Sequence, residues 1–486
     1  MKKDKIKIVL FYANIVLFFA ICFFSCFGET HLFSVLGKHF SISFYFSILA
    51  IPIFYFYYFF FCKNRFINRL IIMFIIIFIT LLISSLGMAF IIYPRFNGLF
   101  QTSPPIVVLK ESIKYAYDLA LIPFFVFNLS IISTKILKRG LLSFLIVWIA
   151  FGYIQFFVYT INNEIIWKIY DGLDVLKIIR GSSYMFERIR TNYNSFRLYG
   201  FASEPATNCI IICLVFLPFL YYELSTKKTP QHKFAYSIML FLTLFLGFLT
   251  KSSSVYAGML VFAIFIIIKI YMHNGNKKTK IILACVLITS IVLLLIIPYT
   301  RNILINNVFL KIIDTRNYST QHRYSTIWND FLIFIKNPIF GIGDGNQGYF
   351  YSKHVVGTWL AQNPETQRAI VGELGLLGGG AFVPSFISGF GLFGLVIMFF
   401  SAKEYIKVCK KININYKKGK LFYIYTLVLI LVLATVTTNI HRNYQFIAAV
   451  AIPFLCSFNS NTSKSAIAIC DTKRKYYFQT FCEISV

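Results

Sequence analysis

Arg323, Gly341 and Gly343 stand in the one stretch whose residue types suit an anion, STQHRYSTIWNDFLIFIKNPIFGIGDGN, from Ser319 to Asn346. Ser319 and Thr320 can cap a helix N-terminus. Ile327, Trp328, Phe331, Leu332, Phe334 and Ile335 then recur at helical spacing and predict one apolar face. Pro338 ends that helix, because the residue before a proline is pushed out of the α region. Gly341, Gly343 and Gly345 follow, and such a run lets the backbone turn tightly and approach a ligand closely. Arg323 falls in the expected first turn, where unpaired N–H groups and the helix dipole favour anions. The chemistry this set suits is phosphate binding. The alternative is an amphipathic helix on a membrane surface with an ordinary loop after it.

Three further groups could move a proton. In RLYGFASEPATN, Arg197 to Asn208, Glu204 precedes Pro205, which suits the first turn of the next helix. An acid at that cap is favoured by the helix dipole. Capping accounts for Glu204 alone; it leaves Arg197 and Gly200, at fixed distances before it, unexplained. His354 lies in the polar and aromatic run GYFYSKHVVGTWLAQNPET, and a histidine with an ordinary pKa takes a proton near neutrality. Glu373, in VGELGLLGGG, is either a cavity acid or the last charge of its loop. The ten cysteines show no disulfide framework and no zinc spacing, so neither a metal nor a cofactor is expected.

The elements that must position these residues are membrane helices. The chain has 486 residues, 58% hydrophobic and 13% charged, where a soluble protein is roughly a quarter charged. Apolar runs long enough to span a bilayer recur along its length. The expected fold is all-α, a polytopic helical membrane protein. Twelve spans are expected, at 8–27, 40–62, 70–93, 116–133, 141–161, 205–222, 233–249, 253–271, 280–298, 381–400, 421–439 and 445–460. Five helices (1–161) precede a long external loop (162–204), four more (205–298) precede a second (299–380), and three (381–460) precede a tail (461–486). Each long loop is expected to carry interfacial helices, at about 165–179 and 303–314. The net charge of +29 lies in short loops, which reads as orientation signal rather than a nucleic-acid patch. That bias puts both termini in the cytoplasm. Ten of the 14 arginines then fall outside, among them Arg197 and Arg323, while the inner side is lysine-rich. Orientation needs only positive charge, whereas arginine is preferred where a planar fork must hold phosphate or carboxylate. The glycines from Gly372 to Gly394 predict close helix packing and a broken or re-entrant segment, which survives at membrane depth only where it is buried or lines a cavity.

RLYGFASEP before a span, HRYSTIW with NPIFGIGDGN in the largest external loop, and GFGLFGL in the next span together resemble the O-antigen polymerase and ligase family of bacterial inner-membrane proteins. The Arg-x-x-Gly-x-x-x-Glu-Pro segment is similar to that of the polymerase branch. Ligases often carry a His-Asn pair just before the re-entering helix; here His354 is followed by Val355 and lies well upstream. The resemblance implies transfer of a polyprenyl-pyrophosphate-linked glycan onto a second lipid-linked repeat unit outside the cytoplasmic membrane. It implies membrane lipids and a chain-length regulator as partners. Arg197 and Arg323 would stabilise the leaving pyrophosphate, and Glu204, Glu373 or His354 would act as base. Ligation to lipid A core is the same chemistry with another acceptor. A flippase would carry charges along its spans and two related halves; neither is visible.

Overall fold

The computed structural model describes residues 2–24, 29–35, 38–62, 65–96, 102–132, 134–161, 208–226, 229–272, 318–362 and 382–412, with 165, 198, 200, 366, 367 and 370 singly. The expected spans at 280–298, 421–439 and 445–460 lie outside the described residues. So do both expected interfacial helices, apart from Ile165, as well as Arg197, Glu204 and Glu373.

The described chain is helical apart from one short hairpin. Its helices are α1 (Lys2–Phe24), α2 (Ile42–Phe61), α3 (Arg65–Phe96), α4 (Pro104–Ile131) and α5 (Thr134–Ile161). A π-helical stretch, Ile210–Phe216, runs on into α6 (Leu217–Thr226), followed by α7 (Pro230–Leu249) and α8 (Ser253–Met272). Then come α9 (Tyr318–Lys336), α10 (Gln347–Val355), a 3₁₀ turn at Trp359–Gln362 and α11 (Phe382–Ile412). Six of these are long and apolar enough to cross a membrane, within α1, α2, α3, α5, α7 and α11. The hairpin pairs β1 (Glu29–Val35) antiparallel to β2 (Lys38–Ser41), with Val35 opposite Lys38. It occupies the connection before α2, and its last two residues take the place of the start of the span expected from 40.

Several of the expected boundaries differ: α5 starts at Thr134 rather than 141, and α11 runs to Ile412 rather than 400. The fourth span was expected from 116, but α4 begins at Pro104, so Lys110, Glu111 and Lys114 are helical. Pro104 and Pro105 fit the first turn, where their missing N–H costs nothing. The helix expected after Thr320 already runs from Tyr318.

The main core lies between α1, α2, α4, α5 and the π-helical stretch with α6, and reaches residues of α3, α7 and α8. It is a stack of aromatic rings: Phe18, Phe54, Tyr58, Phe124, Phe127, Trp148 and Phe216 are nearly or fully buried. Phe54 meets Phe124 at 5.7 Å and Phe127 at 5.5 Å, separations at which aromatic pairs attract beyond their area burial. Polar side chains buried within these helices bond locally: Asn14 and Asn128 each donate to the carbonyl four residues back, at 2.8 and 2.9 Å.

Candidate functional site

α9 ends at Lys336, two residues before Pro338, as the proline requires. The chain from Pro338 to Asn346 then enters a break in α11. Gly391 adopts φ 62°, ψ −159°, which interrupts the helical hydrogen-bond ladder. The groups freed by that break are taken up by the loop. Leu392 and Phe393 donate backbone N–H groups to the carbonyls of Pro338 (2.8 Å) and Ile339 (3.0 Å). In return Ile342 and Gly343 donate to the carbonyls of Ser388 (3.1 Å) and Gly389 (2.9 Å). Buried backbone polar groups must be paired, and here two irregular segments pair each other.

This exchange fixes what the glycines do. Gly341 and Gly343 have φ of 68° and 81°, and a Cβ on Gly341 would run into the backbone of Gly389. One on Gly343 would lie 2.6 Å from the Ser85 carbonyl oxygen on α3. The close approach expected of these glycines is to protein backbone, so the space beside them is filled by the chain itself. Arg323 and the glycines stand at opposite ends of α9. Arg323 is the sixth residue of α9, past its first turn, and the glycines lie beyond the opposite end. At 1.5 Å per residue that is about 20 Å of helix between Arg323 and Lys336.

Around the break sits a polar cluster that the sequence reading did not single out. Asp330 is 1% exposed. Its carboxyl is met by the hydroxyls of Ser388 (2.9 Å) and Ser385 (3.4 Å) on α11. Gln347 donates its side-chain amide to the Ser385 carbonyl (3.0 Å) and to Ser388 Oγ (3.3 Å). Burial, with the Asp344 carboxylate nearby and only the two serine hydroxyls opposing, pushes the Asp330 carboxyl up to about 8. The Ser388 hydroxyl has one proton and two acceptors in reach, Asp330 Oδ1 and the Ser385 carbonyl at 3.0 Å. When Asp330 is protonated its O–H donates to Ser388, which turns its own proton to Ser385; when Asp330 is ionised the hydroxyl turns back. The legible signal was the stripe Gln321, Ser325, Asn329 and its neighbour Thr326, Asp330, polar residues repeating every four positions along a helix.

His354 lies on α10, 6% exposed, in place of the expected polar loop. Lys336 Nζ donates to its Nε2 (3.2 Å), which leaves Nδ1 to carry the proton and donate to Asn329 Oδ1 (2.9 Å). Asn329 in turn donates to the Gln347 carbonyl (2.9 Å). Burial first, then the positive charges of Lys336 and Lys353, lower His354 to about 4. The ordinary pKa expected of it is therefore corrected: the imidazole stays neutral at pH 7, and its one lone pair is held by a lysine.

Gly200 is placed at a different set of helices. Its N–H donates to Gln155 Oε1 (2.9 Å) and its carbonyl accepts from Gln155 Nε2 (3.0 Å) on α5. Leu198 N donates to the Leu249 carbonyl (2.9 Å). Gly200 has φ 59°, and a Cβ there would sit 3.1 Å from the Trp148 indole nitrogen. The π-helical stretch beginning two residues after Asn208 puts Cys209 Sγ 2.9 Å from the Ser254 carbonyl. The turn before α8 closes through Thr250 Oγ1, which donates to the Gly247 carbonyl (2.7 Å), with Lys251 at φ 46°.

No family of known proteins matches the chain, and no curated protein matches it either.

Proposed function

We propose that this chain is a polysaccharide polymerase. It would transfer a polyprenyl-pyrophosphate-linked O-antigen, capsule or exopolysaccharide repeat glycan onto a lipid-linked acceptor at the outer face of the cytoplasmic membrane. In this reading the chain crosses the bilayer twelve times with both termini inside. The observation that carries it is the anchoring of both segments that bear the resemblance. Gly200 is clamped by Gln155, and residues 338–343 are bonded into the break of α11. Anchored backbone of this kind is what positioning a phosphoryl leaving group needs.

The leaving pyrophosphate gains charge as the sugar hydroxyl attacks the anomeric carbon, so fixed cations that bind it more tightly in the transition state lower the barrier. Arg197 and Arg323 fill that role. Glu204 or Glu373 is the base, since His354 is a weak one in its present setting. Deletion of the gene should leave single repeat units displayed and no polymer. Long lipid-linked chains in the deletion strain would refute polymerisation in favour of ligation, and repeats trapped inside would favour a flippase. Arg323→Lys keeps the charge and loses the planar fork. Charge-assisted bonds contribute about 1.5–3 kcal/mol each, so transfer should slow roughly ten- to a hundredfold. Wild-type chain length in Arg323→Lys, at equal protein level, would remove the pyrophosphate role from this residue.

A further inference from the structure

α9 is built inside out. Its inward face is polar: Gln321, Ser325, Thr326, Asn329 and Asp330 are each 5% exposed or less. Its outward face is apolar: Tyr324, Trp328, Phe331 and Ile335 are 38, 43, 51 and 55% exposed and fall on one stripe at helical spacing. A helix lying in water shows the opposite arrangement. The stripe continues past the helix through Ile339 (61%) and Phe340 (46%). Phe340 meets Phe393 at 5.4 Å, and from there the exposed side of α11 runs on through Leu392, Val396, Phe399 and Phe400. The α11 part of that surface belongs to a helix long and apolar enough to cross a membrane.

Depth along the bundle points the same way. Gly343 and Asp344 meet Ser85, which stands eleven residues from the Phe96 end of α3, about 16 Å along its axis. Gly341 meets Gly389, seven residues from the start of α11, about 10 Å in. Two helices long and apolar enough to cross a membrane thus place the glycine loop well below their ends. Irregular backbone at such depth is tolerated only where protein buries it, and Gly341, Ile342, Gly343, Gly345 and Asn346 are all buried.

We propose that α9 lies in the outer leaflet of the bilayer, with the Tyr324–Trp328–Phe331–Ile335 stripe against lipid acyl chains and its polar face against the protein. Residues 338–346 then form a re-entrant wedge rather than an external loop. Tyr324 and Trp359, rings 6.4 Å apart at the near end of the stripe, occupy the headgroup level where amphipathic aromatics collect. That the stripe meets lipid is independent of the polymerase reading, because the test measures surroundings and not activity; that the leaflet is the outer one rests on the orientation given with that reading.

Phe331→p-benzoylphenylalanine, introduced by amber suppression in the full chain and irradiated in cells, should give adducts with phospholipid. A cross-linked dimer, a link to another segment of the chain, an adduct of polyprenyl mass, or no adduct would each overturn the assignment. If that variant fails to accumulate, fluorescence in nanodiscs serves instead. The emission lost in Trp328→Phe should be quenched by phospholipids brominated on their chains and left unchanged by aqueous iodide. Quenching by iodide alone would place the stripe in water.

Discussion

Asp330 and His354 sit within one cluster and are pushed in opposite directions, and each shift dictates a pH window. Asp330 rises from 3.8 to about 8, so between those values the folded protein keeps a proton that the unfolded chain has released. Its contribution to stability therefore falls as pH climbs through that range. Asp330→Asn cannot ionise. The melting temperature of the variant relative to wild type, in detergent, should rise from pH 5 to about pH 8 and level off above it; a flat difference would mean that Asp330 titrates as an ordinary carboxyl. His354 falls from 6.5 to about 4, so between those values the unfolded chain holds more protons than the folded one. Stability from this group is complete above pH 6.5 and lost as pH falls through 4. His354→Gln should accordingly lose less stability than wild type between pH 6.5 and pH 4. At pH 7 the same variant should cost about 1–3 kcal/mol, because Asn329 loses its partner in a buried site.

At the scale of the element, the break in α11 and the loop that fills it act as one unit. A Cβ on Gly391 would press into the Ile339 carbonyl and lie 2.7 Å from Gly341 N. Gly357 has a similar positive φ, 82°, but open space around its missing Cβ. Gly357→Ala should cost only the left-handed strain, about 1–2 kcal/mol. Gly391→Ala adds backbone collision to that strain and should sharply lower the amount of folded protein recovered from membranes. Equal recovery of the two variants would mean that the loop does not seat in the break. The sequence carried part of this. Helix α9, its stop before Pro338, and a broken segment among the glycines could all be read from spacing and residue type. The direction in which α9 faces could not. Ile327, Trp328 and Phe331 announce an apolar face, but only the partner decides whether that face meets protein or lipid. Asp330 escaped for the same reason, since an acid on a helix reads as solvated until three residues of α10 and α11 are seen around it. Gly341 and Gly343 were legible as tight backbone; that the approaching group is Gly389 or Ser85 depends on contacts far along the chain.

For the whole molecule, the proposed orientation can be tested at residues whose exposure is known. Val356 is 58% exposed and follows α10, and Gln231, at the start of α7, is exposed too. Single cysteines there should divide. Val356→Cys should react with an impermeant maleimide in intact spheroplasts, and Gln231→Cys only after permeabilisation. The reverse pattern would invert the topology and move the Asp330 cluster to the cytoplasmic face. The bond between Asp344 N and Ser85 Oγ has one more consequence. Its partners are 259 residues apart. At about 5–20 residues per second of synthesis, Ser85 on α3 waits on the order of 13 to 50 s for the residues that cover it. During that interval the Ser85 face is open to lipid, to an insertion chaperone or to a protease. Ribosome-bound nascent chains ending before residue 338 should therefore be cleaved near α3 by membrane proteases that spare chains extended beyond residue 412. The last stages of translation would then act as a quality checkpoint for a helix made long before.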